Sequence, residues 1–248
     1  MIEISLKAEE IFHIGSFPVT NSLLLSAVAF AALIVLGVVF RKKVALVPGA
    51  FQNAVEAIVE GFLKLMDSVL GSREKSEKYV PLVLTIFLMV VLSNWLGLLP
   101  GVGSIKIHTL LEGHDAFVPL FRAPSADLNF TVALAVLAVL SVNVFGVIAL
   151  GFVRHFSKFF TLKNPLYTFV GILEFISEFA KMVSFSFRLF GNIFAGEVLL
   201  IIVGFLVPYI VPLPFLFLEI FVGFIQGFVF AMLTLVFIAS ATIEHEAH

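Results

Sequence analysis

The sequence contains no cysteine, which excludes disulfide scaffolds, zinc ribbons and thiol nucleophiles. Charge is scarce as well: 13% of residues are Asp, Glu, Lys or Arg, against about 25% in an ordinary soluble domain. Neither sign dominates. Fifteen Lys and Arg stand against 17 Asp and Glu, so there is no basic surplus to draw nucleic acid. Glycine-rich phosphate loops are missing too, and with them any nucleotide site on this chain. What is abundant is apolar: 60% of the 248 residues are hydrophobic and the mean hydropathy is +1.13. One domain of this size must still clothe itself in polar surface, and this composition cannot do so in water. The chain reads as an all-α polytopic membrane protein forming a single membrane domain over 1–248.

A helical span needs roughly 20 mostly apolar residues to cross about 30 Å of hydrocarbon. The first runs over 21–40 without a charge and is closed by Arg41, Lys42 and Lys43. An acidic stretch, 1–10, precedes it and no small-residue cleavage site follows. It therefore reads as a retained span, with 1–20 an external segment. Residues 44–78 carry Phe51, Val55, Ile58, Val59 and Phe62 at helical spacing among Glu56, Glu60, Lys64 and Asp67. That is an amphipathic helix at the membrane surface or against a partner; a plain connector fits equally well. Further spans are expected at 79–99 and 128–153, separated by a polar loop with Lys106, His108, Glu112, His114, Asp115 and Arg122. Two longer apolar stretches follow at 165–207 and 214–243. About five crossings and one surface helix result.

Basic residues set the orientation. Arg41, Lys42, Lys43, Lys64, Arg73, Lys75 and Lys78 crowd the second segment, and Arg154, Lys158 and Lys163 the loop after 153. Both are expected in the cytoplasm, with the N-terminus outside and residues 244–248 inside.

As one helix, 165–207 would measure about 65 Å, roughly twice the hydrocarbon thickness. A re-entrant break is one solution, but the middle, Ser184-Phe185-Ser186-Phe187-Arg188-Leu189-Phe190, has no proline or turn cluster. A helix lying far more obliquely than the usual tilt of about 20° is the other. Its ionisable residues, Glu174, Glu178, Lys181, Arg188 and Glu197, belong against protein or water, where such groups mark ion pathways. Spacings of four, three and seven place the first four on one face, with Asn192 a turn beyond. Glu178 and Lys181 either neutralise each other or serve a pathway; spacing leaves both open. Arg188 has no acid within four residues, so a permanent guanidinium there requires an acidic partner elsewhere. Glu219 and Gln226 share a face of the last helix, and the neighbouring Gly223 and Gly227 permit close helix contact. The histidines, His108 and His114 in the loop and His155, His245 and His248 beside spans, make no metal-ligand spacing.

The run Ser186-Phe187-Arg188-Leu189-Phe190-Gly191-Asn192-Ile193-Phe194-Ala195-Gly196-Glu197 strongly resembles subunit a of F-type ATP synthases, the static membrane subunit that faces a rotating ring of c subunits. Ser93-Asn94-Trp95-Leu96-Gly97-Leu98-Leu99-Pro100, Pro124-Ser125-Ala126-Asp127-Leu128-Asn129 and the stretch from Gln226 to Thr234 agree, and the likeness covers about 20–245. It implies two long, strongly tilted helices along the c ring and a bacterial inner-membrane location. The implied partners are the c ring facing Arg188, the subunit b stalk helices, the remaining subunits of the complex and the lipid bilayer. Arg188 falls on the family's essential arginine. Glu174 and Ser177 fall on positions of the cytoplasmic half-channel. Glu197, Glu219 and Asn192 fall on the outer one, Asp127 and Asn129 near its entrance, and Gln226 on the arginine's polar neighbour. The resemblance implies no cofactor and no catalysis by the subunit alone; the transported ion is H+, or Na+ where the c ring selects it. Many relatives have histidine where this chain has Glu219, which suggests a proton shared between Glu197 and Glu219. Met182 stands where proline is common. The leading alternative, a secondary ion-coupled transporter, should show internal repeats or paired broken helices, and the two halves show no such self-similarity.

Overall fold

The computed structural model describes residues 5–111, 114–157 and 165–242. Glu112, Lys158, Lys163, Ile243, and the C-terminal residues 244–248 with His245 and His248, lie outside them. Helix α1 (Asn21–Lys43) is capped by Thr20, whose hydroxyl accepts from the Leu23 amide. Helix α2 (Ala50–Leu70) ends at Gly71, whose φ of 73° closes the helix left-handed. Ser72 then caps α3 (Arg73–Gly97). The amphipathic stretch expected over 44–78 is thus divided at Gly71. Asp127 caps α4 (Leu128–Leu150), and a short α5 (Phe152–Ser157) follows Gly151. The chain closes with α6 (Pro165–Leu206) and α7 (Pro212–Thr242). Among the described residues five helices, α1, α3, α4, α6 and α7, are long and apolar enough to cross a membrane.

Helix α6 runs 42 residues without interruption, about 63 Å at the standard rise, so a re-entrant break does not occur. Two features depart from the loops expected outside the spans. Residues Glu10–Ile14 (β1) and Phe17–Thr20 (β2) form an antiparallel hairpin before α1. Lys106–Leu111 (β3) pairs with His114–Pro119 (β4) in a second, in register from Lys106 opposite Pro119 to Leu111 opposite His114. Both are short and lack a sustained apolar alternation, so no hydrophobic pattern announced them.

Packing centres on α3 and α7. Phe62 and Met66 of α2 meet Val83 and Phe87 of α3 and Leu235 and Ile238 of α7 in one apolar cluster. In the other, Phe185, Leu189 and Ile193 of α6 seat on Ala126, Ala135 and Ala138. Gly223 and Gly227 bring α7 close to α3 as expected: a Cβ on Gly227 would lie 2.6 Å from Val91 Cγ2. Exposed apolar residues cover the outer surfaces of α1 and α6, where lipid or another protein must replace water.

At the α2–α3 corner Arg73 binds Glu60, Asp67 (3.1 Å) and Glu77 (3.2 Å). Its hydrogen bond to Glu60 holds that carboxyl below the usual range; Asp67 is also lowered, first by the Ser76 hydroxyl and then by Arg73. Depressed carboxyls stabilise the fold above their unfolded values, and the contribution is lost as pH falls through the folded ones. Hydrogen exchange across α2 is therefore expected to accelerate as pH drops below about 4, relative to the exchange of an unstructured peptide, and Arg73→Ala should flatten that dependence.

Candidate functional site

The inward face of α6 is fixed by Phe185, Leu189 and Ile193, spaced four apart and buried. Arg188 lies outside that stripe and is exposed, flanked by the exposed Val183 and Phe187. Its Nη2 donates to Ser184 Oγ at 3.1 Å, and among the described residues no carboxylate pairs with it. Asn192, one turn on, is also exposed, and Gln226 on α7 is half-buried. A permanent charge on an apolar helix face calls for an anion or water opposite it.

A cavity of about 640 Å³ opens near the C-terminal half of α6 and is lined by Glu9, Asn94, Lys106, Arg122, Glu197 and Glu219, among others. Both carboxylates singled out in the sequence are brought together there. Glu219 is buried and sits directly on Gly196, where any Cβ would collide with its carboxylate. Asn94 Nδ2 donates to Gly223 O and Trp95 Nε1 to Ile220 O, each at 3.0 Å. The Ser93-Asn94-Trp95 stretch thus fastens α3 to α7 beside Glu219. Glu197 Oε2 receives Arg122 Nε and Nη2, each at 3.4 Å. Arg122, 7% exposed, looked like an ordinary loop charge. The available signal was its place just ahead of the Pro124–Asn129 motif.

The other residues lie apart from this cavity. Asp127 accepts from the Asn129 amide at 2.9 Å and from the Ser22 hydroxyl, so it caps α4 and ties it to α1, while Asn129 is exposed. Glu174 and Ser177 are half-buried in the N-terminal half of α6. The face expected to unite Glu174, Glu178, Lys181 and Arg188 is divided: Glu178 is buried and takes Lys181 Nζ at 2.7 Å, while Lys181 also lies 4.7 Å from the Phe237 ring centre. That ion pair resolves the alternative left by spacing toward mutual neutralisation.

Asn143 extends the network, donating to Glu178 at 3.5 Å and meeting His155 Nε2 through Oδ1 at 3.1 Å. His155, expected merely to flank a span, is 1% exposed. It returns to α4 because Gly151, at φ 83° and ψ 154°, turns the chain in a conformation nearly restricted to glycine, and because Gly146 leaves room for the ring. Gly151→Ala is expected to cost about 1–3 kcal/mol, read as a lower unfolding temperature of the purified protein in detergent. An unchanged temperature would contradict this account of the turn.

These features define a multi-pass membrane protein with a permanently charged residue, unpaired among the described residues, on one face of its longest helix, and with Glu197 and Glu219 lining one cavity. Comparison with known proteins is specific. The profile of the ATP synthase A chain family matches residues 22–239. ATP synthase subunit a of Campylobacter jejuni subsp. jejuni is 36% identical over 237 residues, covering 96% of this chain and 91% of the relative. That of Campylobacter fetus subsp. fetus is 36% identical over 248 residues and covers all of both chains. That of Aliarcobacter butzleri is 34% identical over 222 residues, covering 87% and 89%. The chain belongs to the ATP synthase A chain family.

Proposed function

We propose that this chain is the static ion-conducting subunit of an F-type ATP synthase, itself without catalytic activity. In this reading it lies in a bacterial inner membrane with its N-terminus outside and its C-terminus in the cytoplasm. It abuts a c ring, and the subunit b stalk helices and the rest of the complex complete its surroundings. The observation that carries the reading is Arg188, exposed and without a carboxylate partner among the described residues. A c-ring carboxylate supplies the missing anion. The fixed charge favours the ionised form of each ring carboxylate as it passes and repels protons that would otherwise leak straight across.

Two offset half-channels serve the gate. Glu174 and Ser177 belong to the cytoplasmic one, about 21 and 17 Å before Arg188 along α6, and Glu197 lies about 13 Å beyond it. Glu197 and Glu219 in their cavity form the outer half-channel, with Asn192 and Gln226 near the gate and Asp127 and Asn129 toward the outer mouth. An α6 lying strongly oblique to the membrane would carry the two ends to opposite faces. The cargo is H+, or Na+ if the ring carboxylate selects it, and no resident cofactor is required. The test is ATP synthesis and ATP-driven pumping by vesicles carrying Arg188→Ala in the assembled complex. Coupled synthesis near the wild-type rate would overturn the gate and revive an ion-coupled transporter.

A further inference from the structure

Arg122 belongs to no helix, yet its side chain is among the most buried charges described. A guanidinium offers five N–H donors in a rigid planar fork. Nη1 donates to Lys7 O at 3.0 Å and Nη2 to Ser5 O at 2.8 Å, while Nε and Nη2 address Glu197 Oε2. One side chain therefore joins α6 to the segment ahead of the first hairpin. That segment is anchored again by Asn21, whose amide N–H donates to Glu9 O at 3.0 Å and whose Nδ2 donates to Glu9 Oε2 and Pro119 O at 3.3 Å each. Ser5 and Glu9 line the cavity together with Glu197. One wall of the cavity is thus irregular chain, held in place by Arg122.

Both bonds to Glu197 fall on Oε2, so among the described residues Oε1 carries no hydrogen bond and remains available to the cavity. A simple staple would need only the two carbonyls. The added carboxylate contact orients the group whose proton exchange matters. From this geometry we infer that Arg122 is a positioning residue for Glu197, clamping one carboxylate oxygen to the N-terminal segment so that the other meets the ion path. Residues 5–9 then form the wall of the ion inlet. The inference rests on the reading of Glu197 as a channel carboxylate.

The test is a double-mutant cycle in the assembled complex, with ATP synthesis driven by an imposed proton gradient and the amount of incorporated subunit measured in the same vesicles. Arg122→Gln is expected to slow synthesis about tenfold, the scale of a lost charge-assisted hydrogen bond, and Arg122→Lys to recover most of it. Glu197→Gln combined with Arg122→Gln should be no slower than Glu197→Gln alone, because the arginine acts through that carboxylate. Additive losses, a wild-type rate with Arg122→Gln, or equal losses with Gln and Lys would each overturn the proposal. If Arg122→Gln is not incorporated, Arg122→Lys decides: labelling of Ser5→Cys from outside should rise as the second carbonyl is released, and unchanged labelling would overturn the wall. A wild-type rate with Glu197→Gln itself would instead bring down the channel reading beneath it.

Discussion

Vesicles carrying Arg188→Ala in a fully assembled complex are expected to lose gradient-driven ATP synthesis by about a hundredfold or more, the effect of removing a preorganised charge from a site that depends on it. Assembly should survive. Arg188 is exposed and its hydrogen bond runs to a neighbouring turn of its own helix, so the folded chain gives up little when the side chain is cut back. The missing function therefore cannot be attributed to a missing protein. Arg188→Lys sharpens the test, since a desolvated ammonium can lose its proton whereas a guanidinium stays charged. It should synthesise ATP far below the wild-type rate although a basic residue is retained. Normal synthesis by the lysine variant would mean that any basic side chain suffices and that permanence of charge is irrelevant.

Gly196→Val should be nearly as damaging, for a steric reason. The Glu219 carboxylate occupies the space a side chain at 196 would need, and α7 cannot withdraw easily because Asn94 and Trp95 hold its backbone at Gly223 and Ile220. Overpacking of this kind costs about 1–3 kcal/mol. Displacing a reacting group by about 1 Å can slow a step about a hundredfold. Synthesis by the assembled complex is expected to fall by that order. Gly196→Ala should be milder, and adding Glu219→Asp, one methylene shorter, should restore part of the rate. Full activity with Gly196→Val would show that Glu219 does not rest on this glycine during turnover.

Long apolar runs made the five membrane helices legible, because an apolar stretch of roughly 20 residues suits the depth of a bilayer and few places in a water-soluble fold. The length of α6 leaves open whether it runs unbroken, although no proline or turn cluster interrupts the stretch around Arg188; the structure makes it continuous. Arg188 itself stood out because a lone guanidinium in such an apolar run is costly unless something outside the run answers it. Residues whose importance depends on long-range meeting were hidden. Arg122 looks like one loop charge among six, and only the fold brings it to Glu197, 75 positions away. His155 sits beside a basic cluster and reads as surface until Gly151 turns it under α4. Asp127 was visible within a motif, but its bond to Ser22 depends on α1 arriving from elsewhere. The hairpins escaped because such short strands carry neither a hydrophobic run nor a long alternation.

The seam between α4 and α6 has a mechanical consequence. Phe185, Leu189 and Ile193 share a close-packed cluster with Ala135 and Ala138 of α4 and with Ala126 just ahead of it, so the buried α4 side of this seam is built largely of alanine. Alanine has no rotamer to yield, and close-packed interiors resist compression. A body turning against the exposed face of α6 would push on a wall of low compliance, and its sideways thrust would pass to α4 with little of the work dissipated in rearranging side chains.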